Sequence, residues 1–189
     1  MKVRESGMPD EPVWSSFFEP EMVLKAMLVD EHIDDLCEIG CGYGTFTLPA
    51  ARIIGGELFG FDIEAAMVAV VNQKLLAGRI SNVRLAVRDV LKLTTGLESA
   101  SIDYVMLFNL LHHDKPEELF GEAFRVLKQH GRLGILHWRS DIATPRGPDL
   151  SIRPSPERIL QLFDNNQFAV EKPTFFIGKY HYGMVLQKQ

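Results

Sequence analysis

Short apolar runs alternate along the chain with longer segments of helical periodicity. Asp35–Ile39, Leu58–Asp62, Val83–Val87, Ile102–Phe108 and Gly131–His137 are apolar without strict alternation, as strands covered on both faces are. Between them, Phe46–Ile54, Glu64–Ala77 and Glu117–Leu127 read as helices. In the last, Leu119, Phe120, Ala123, Phe124 and Leu127 form one apolar stripe, with Pro116 in the first turn and Asp114 as the expected cap. Strands alternating with helices predict an α/β architecture with a mainly parallel sheet. After the fifth strand the period is lost. Trp138–Pro154 contains Pro145, Gly147, Pro148 and Pro154 and reads as a long loop, a length usually tied to function. Pro156 opens a helix expected to end near Asn165 and Asn166. Phe168–Ile177 and Lys179–Gln187 then form two strands, antiparallel because only Gly178 separates them.

Composition fits this pattern with one globular domain over residues 1–189: 46% of residues are hydrophobic and 24% charged. No apolar run approaches the roughly 20 residues of a membrane span, so no membrane association is expected. The opening residues lack the apolar stretch of a secretory signal. Cys37 and Cys41 are too few for a disulfide scaffold, so a cytoplasmic setting is expected. The net charge of −5, with no block of Lys and Arg, argues against a nucleic-acid partner. A monomer or homodimer is the expected assembly.

Chemistry concentrates first at Glu38-Ile39-Gly40-Cys41-Gly42-Tyr43-Gly44, between the first strand and the first long helix. Glycines at a strand-to-helix turn permit positive φ and let a ligand approach the backbone near a helix N-terminus. A dinucleotide fingerprint starting at Gly40 needs glycine at position 45, where Thr45 stands. Asp62 ends the second strand, where a carboxylate can accept from ribose hydroxyls while Ile63 offers an apolar face to a base. Asp89-Val90 follows the third strand, and Asn109-Leu110-Leu111-His112-His113 follows the fourth.

This order of features resembles the class I S-adenosylmethionine-dependent methyltransferases, in the small-molecule, type 11-like branch. The acid-x-Gly-x-Gly-x-Gly run is similar to that family's motif I. The run after strand four resembles its L-x-H-H segment rather than the N-P-P-Y motif of DNA amino-methylating enzymes. Ala123–Lys128 resembles its R-V-L-K-P-G-G stretch, with Gln129-His130-Gly131 as a surface turn in place of Pro-Gly-Gly. The resemblance implies a Rossmann-like three-layer sandwich whose seven-stranded sheet has the order 3-2-1-4-5-7-6, strand 7 antiparallel. It implies S-adenosylmethionine as cofactor and S-adenosylhomocysteine as product. The cofactor would be bound by Glu38, Gly40, Cys41, Gly42, Gly44, Asp62, Ile63, Asp89, Val90 and Asn109. In the family, the acid at the Asp62 position holds the ribose and that at the Asp89 position holds the adenine amino group.

Methyl transfer is an in-line displacement in which alignment supplies much of the rate. A base is needed only if the acceptor must shed a proton, and either His112 or His113 is placed for that role. Adjacent histidines do not make a zinc-ligand set, and no metal is expected. Arg139, Arg146 and Arg153 punctuate the long loop, so Arg139 and Arg146 are candidates for contacting an anionic acceptor. Trp14, with Phe17 and Phe18, lies in a helical segment, residues 1–30, that folds over the site as a lid or covers the sheet; Trp14 is the candidate substrate contact. Cys37 and Cys41 read as small buried residues. Two alternatives stay open: an NAD-binding oxidoreductase, and a relative that binds the cofactor without catalysis.

Overall fold

The computed structural model describes residues 9–164 and 166–189. Two short helices, α1 (Glu11–Ser15) and α2 (Pro20–Ala26), precede strand β1 (Leu36–Ile39). Then follow α3 (Thr47–Ile53), β2 (Leu58–Asp62), α4 (Ala65–Ala77), β3 (Val83–Val87), α5 (Val90–Leu93) and β4 (Ile102–Phe108). The chain continues through α6 (Pro116–Val126), β5 (Leu127–Trp138), a 3-10 turn (Leu150–Ile152), α7 (Pro156–Leu160), β6 (Phe168–Ile177) and β7 (His181–Lys188). The seven strands form one sheet in the order β3-β2-β1-β4-β5-β7-β6. β7 runs antiparallel to both neighbours, and the other pairings described are parallel. Among the described residues no helix is long and apolar enough to cross a membrane.

The alternation of side chains along each strand divides the core in two. Leu36, Tyr104, Met106, Leu136 and Trp138 point into one layer, packed with Trp14, Phe18, Leu24 and Phe46. Cys37, Ile39, Val105, Leu107, Leu133 and Ile135 fill the other, under Leu119, Phe120 and Ala123 of α6. One cross-link runs from the sheet to the N-terminal helices: the Tyr104 hydroxyl, fully buried, donates to the carbonyl of Met27 at 2.7 Å. Room for that phenol comes from Gly134 on β5, since a Cβ there would sit 2.0 Å from the hydroxyl. Gly134→Ala is therefore expected to displace Tyr104 and destabilise the protein by about 1–3 kcal/mol, the usual range for overpacking. Thermal unfolding followed by circular dichroism checks this; an unchanged Tm would show that the ring has somewhere else to go.

Several boundaries differ from the pattern-based expectation. The Gln129–Gly131 stretch, expected as a turn, lies inside β5, which starts as soon as α6 ends. β4 pairs Ile102 with Leu127 and then Tyr104 with Arg132, so an irregularity in register absorbs the extra residues that composition suggested were a loop. Lys115, not Asp114, occupies the N-cap of α6, and no side chain caps it. Asp114 instead lies 2.9 Å from Nδ1 of His113. The helix opened by Pro156 stops at Leu160, capped by the Ser155 hydroxyl, which accepts from the Arg158 amide at 3.2 Å. Helix α5, after Asp89, is one turn long and too short to show a period.

Candidate active site

The sheet reverses its winding between β1 and β4, and in open α/β sheets ligands bind at the carboxyl ends of strands at such a point. The glycine loop leaves β1 there. Gly40 and Cys41 donate their amides to the Phe61 carbonyl at 2.7 and 3.0 Å, which draws the loop across the end of β2. Gly40, Gly42 and Gly44 all have positive φ, at 82°, 50° and 80°. A Cβ on Gly40 would meet Leu110 at 2.9 Å, and one on Gly44 would meet Leu48 at 2.7 Å. Both geometry and space demand glycine at these two positions.

Asp62 is the loop's anchor. One carboxylate oxygen accepts from the Gly42 amide at 2.8 Å and the other from the Glu64 amide at 2.9 Å. Burial raises its pKa, opposed by these amides and assisted by the charge of Glu64. A carboxylate has lone pairs for about four hydrogen bonds, so both oxygens keep capacity for a ligand's hydroxyls. Beside it Ile63 leaves a large apolar side chain 40% exposed. Asp89 sits at the end of β3, 3.0 Å from the Lys92 ammonium, with Val90 buried next to it.

Glu38 is buried beneath the loop and accepts from the Thr47 hydroxyl at 2.5 Å. Burial drives its pKa from 4.5 up to about 8; the Thr47 bond opposes this and the nearby Asp62 charge adds to it. The Cys37 and Cys41 thiols are free, and burial pushes both well above the ordinary thiol range, which makes them inert packing groups.

Asn109 forms the other wall of the crevice. Its backbone takes a positive φ of 59°, tolerated by Asn, and its amide donates to the Leu136 carbonyl at 2.7 Å. Both polar atoms of its side chain are buried without a hydrogen-bond partner among the described residues. Buried amides are almost always satisfied, so a polar group of a ligand is a candidate partner for this side chain. Three residues on, Nδ1 of His112 lies 3.3 Å from Nε2 of His137, which is fully buried on β5. Nδ1 of His137 lies 3.1 Å from the Trp138 carbonyl. His113 turns to Asp114, and its Nδ1 also lies 3.3 Å from the Lys115 amide.

The candidates on the acceptor side are scattered. Trp14 is buried, its indole N–H donating to the Thr45 hydroxyl at 3.0 Å and its ring 5.0 Å from that of Phe18. Arg139 makes two hydrogen bonds to Asp141, at 2.9 and 2.7 Å, and lies over the Phe176 ring. Arg146 lines a polar cavity of about 540 Å³ between Pro9–Val13 and the 144–153 loop, together with Arg153. Arg153 carries the greater structural burden: its guanidinium donates to the carbonyls of Pro148 at 2.9 Å and Arg139 at 3.0 Å. His137 was not among the expected site residues. It lies inside an apolar strand, where periodicity counts it as core, and only the fold reveals its contact with His112.

A strand-to-helix glycine loop braced by an acid on the next strand, at the switch point of this sheet, defines a nucleoside-binding domain of the methyltransferase type. The family model for the methyltransferase domain matches residues 36–131, and the chain belongs to that family of S-adenosylmethionine-dependent methyltransferases. It is 26% identical over 156 residues to a demethylmenaquinone methyltransferase of Lactobacillus johnsonii, covering 80% of this chain and 58% of that one. Among solved structures, a methyltransferase from Aquifex aeolicus superposes with a TM-score of 0.83 at 22% identity, covering 95% of both chains. A protein described as a type 11 methyltransferase, from Sulfolobus solfataricus, superposes with a TM-score of 0.73 at 26% identity, covering 92% and 94%. The chain spans 50% and 58% of the length of the curated relatives it matches.

Proposed function

We propose that this chain transfers the methyl group of S-adenosylmethionine to a small-molecule acceptor, as a single catalytic domain working as a monomer or homodimer in the cytoplasm. The observation that carries the reading is the buried, unsatisfied amide of Asn109 across the crevice from a glycine loop already braced by Asp62. Such a pairing suits a ligand with hydroxyls at one end and polar groups at the other. When bound, the cofactor supplies a methyl group activated by a positively charged sulfur. The chain does the rest. Gly40–Gly44 leave the backbone open to close approach, Asp62 accepts from the ribose hydroxyls, and Ile63 and Val90 offer apolar surface to the adenine, with Asp89 beside its amino group. Holding donor and acceptor in line is worth more here than any covalent assistance. The acidic net charge supports a small acceptor over a polyanion. Arg146, at the polar cavity, is the better placed of the two arginines for an anionic acceptor, since Arg139 is engaged by Asp141.

Isothermal titration calorimetry tests the cofactor assignment. S-adenosylhomocysteine is expected to bind with heat in the micromolar range or tighter, and NAD to give none. Tight NAD binding without binding of either S-adenosyl compound would replace this reading with the oxidoreductase. Cofactor binding without methyl transfer across a broad metabolite screen would make the chain a binding relative.

A further inference from the structure

We propose that the polar cavity between the N-terminal segment and the 144–153 loop is an anion-binding site centred on Arg153, taking the carboxylate or phosphate group of a small molecule. As the place for the anionic end of a methyl acceptor it rests on the methyltransferase reading. As an anion site it stands on a buried charge that the chain leaves without a counter-charge. Arg153 is only 9% exposed. Its Nε donates to the Pro148 carbonyl at 2.9 Å, its Nη1 to the Arg139 carbonyl at 3.0 Å and its Nη2 to the Arg146 carbonyl at 3.5 Å. The guanidinium also lies 5.7 Å from the centre of a Trp138 ring. All of these partners are neutral. No carboxylate pairs with Arg153 among the described residues. The charge that offsets its burial comes from Asp149, an exposed carboxylate that accepts from the amide and hydroxyl of Ser151 at 2.8 and 2.6 Å. Burying a charge without a counter-charge is costly. A lysine escapes that cost by losing its proton, and an arginine does not. A guanidinium has five N–H groups, three of which these carbonyls engage, so two are left for a ligand.

The cavity supplies room and a second cation. Its volume of about 540 Å³ falls in the range of small-ligand sites. Arg146 and Arg153 both line it, and the exposed Arg146 side chain makes no hydrogen bond or ion pair among the described residues. Asp10 is also in the lining, so two guanidiniums stand against one carboxylate and the lining is net positive. In a chain of net charge −5, that is a local reversal of sign. The wall is held in place. Gly147 takes a φ of 103°, and a Cβ on it would meet the Trp138 ring at 2.8 Å, so the loop is seated against the indole. The bonds from Arg153 to the carbonyls of residues 139, 146 and 148 tie the loop to the end of β5. Arginines held this way suit carboxylate and phosphate oxygens, which accept two parallel N–H bonds from one guanidinium. Asp10 in the same lining favours a ligand with a hydroxyl or amine beside its anionic group. Along the chain the cavity adjoins the glycine loop's support: Val13 in its wall precedes Trp14, whose indole donates to Thr45, the residue after Gly44.

Proton–nitrogen NMR of the arginine side chains in the full chain tests the site without any acceptor or cofactor. The protein is titrated with inorganic phosphate and, separately, with glycolate, with chloride at equal ionic strength as the control. The Arg153 Nε–H resonance is expected to shift saturably with at least one of the two anions and not with chloride. Saturation by phosphate alone identifies a phosphate-bearing ligand, and saturation by glycolate alone a carboxylate. Arg146→Gln is expected to weaken the binding by about tenfold, the loss of one charge-assisted hydrogen bond. Arg139→Gln, an equal loss of charge outside the cavity, is expected to leave it unchanged. Arg153→Lys, which identifies the Arg153 resonance, is expected to abolish saturation; if it fails to fold, the Arg146→Gln titration decides. Shifts that do not saturate, that chloride reproduces, or that Arg146→Gln leaves unaltered overturn the proposal. Binding of S-adenosylhomocysteine without a saturable anion would end this proposal alone. A saturable anion without S-adenosylhomocysteine binding would leave the anion site standing and end the methyltransferase reading.

Discussion

Asp62→Ala is expected to reduce S-adenosylhomocysteine affinity by at least a hundredfold while leaving a folded protein. The carboxylate does two things at once. It accepts from the Gly42 and Glu64 amides at 2.8 and 2.9 Å, and it is the proposed acceptor for the ribose hydroxyls. Hydrogen bonds to a charged group contribute about 1.5–3 kcal/mol each, so losing two toward the ligand removes roughly 3–6 kcal/mol of binding. Loss of the brace on Gly42 lets the loop relax and adds to the penalty. Asp62→Asn separates the two roles: one oxygen can still hold an amide, but its NH₂ group cannot accept a second hydroxyl. An intermediate affinity is expected for it. Calorimetry on both variants checks the pair, and unchanged affinity in Asp62→Ala would remove Asp62 from the cofactor site.

Glu38→Gln is expected to make the protein more stable in alkali, by an amount that grows with pH. The buried carboxyl has a folded pKa of about 8 against 4.5 for the exposed group, so the native state binds the proton more tightly than the unfolded chain. A group of this kind contributes its full stability below about pH 4.5 and loses it progressively as pH rises toward 8. The whole shift corresponds to about 5 kcal/mol. Glutamine keeps the acceptor for the Thr47 hydroxyl and never ionises. Urea unfolding should therefore show wild type and variant similar near pH 5, and the variant ahead by a few kcal/mol near pH 8.5. A difference independent of pH would mean that Glu38 is already ionised in the folded protein. The same neutrality leaves the group under the glycine loop a polar floor that is mainly uncharged at neutral pH.

The fold was legible where burial leaves a plain trace in composition. Strands β1, β2 and β4 read as apolar runs because they are buried on both faces, and the terminal hairpin read as antiparallel because its connection is short. It was not legible at Gln129–Gly131, where polar residues and a glycine sit within β5; the pairing of β4 and β5 decides that extension, and a bulge is invisible to local propensity. Helix α7 was overestimated because the chain past Leu160 packs Leu162 and Phe163 against the core from non-helical backbone, Phe163 beside Phe120 and Phe168, and tertiary packing overrides helical spacing.

The candidate site divides the same way. Its donor-side candidates, the loop residues Glu38–Gly44 and the acids Asp62 and Asp89, each lie at or just past the end of a strand, a set position in the fold's repeat. Residue identity and order therefore pick out these candidates by themselves. Its acceptor half depends on partners distant in the chain. Trp14 is a core residue because Thr45, Phe18 and Trp138 surround it. Arg139 is engaged because Asp141 folds back onto it. His112 is distinguished from His113 because β5 lies beside β4 and brings His137 within 3.3 Å. The amino-acid order alone specified a parallel sheet ending in an antiparallel pair and a glycine loop at the end of its first strand. Which histidine has a buried partner, and which polar groups are left unsatisfied, was decided by tertiary structure, because hydrogen-bond satisfaction is a property of neighbours in space rather than of neighbours in the chain.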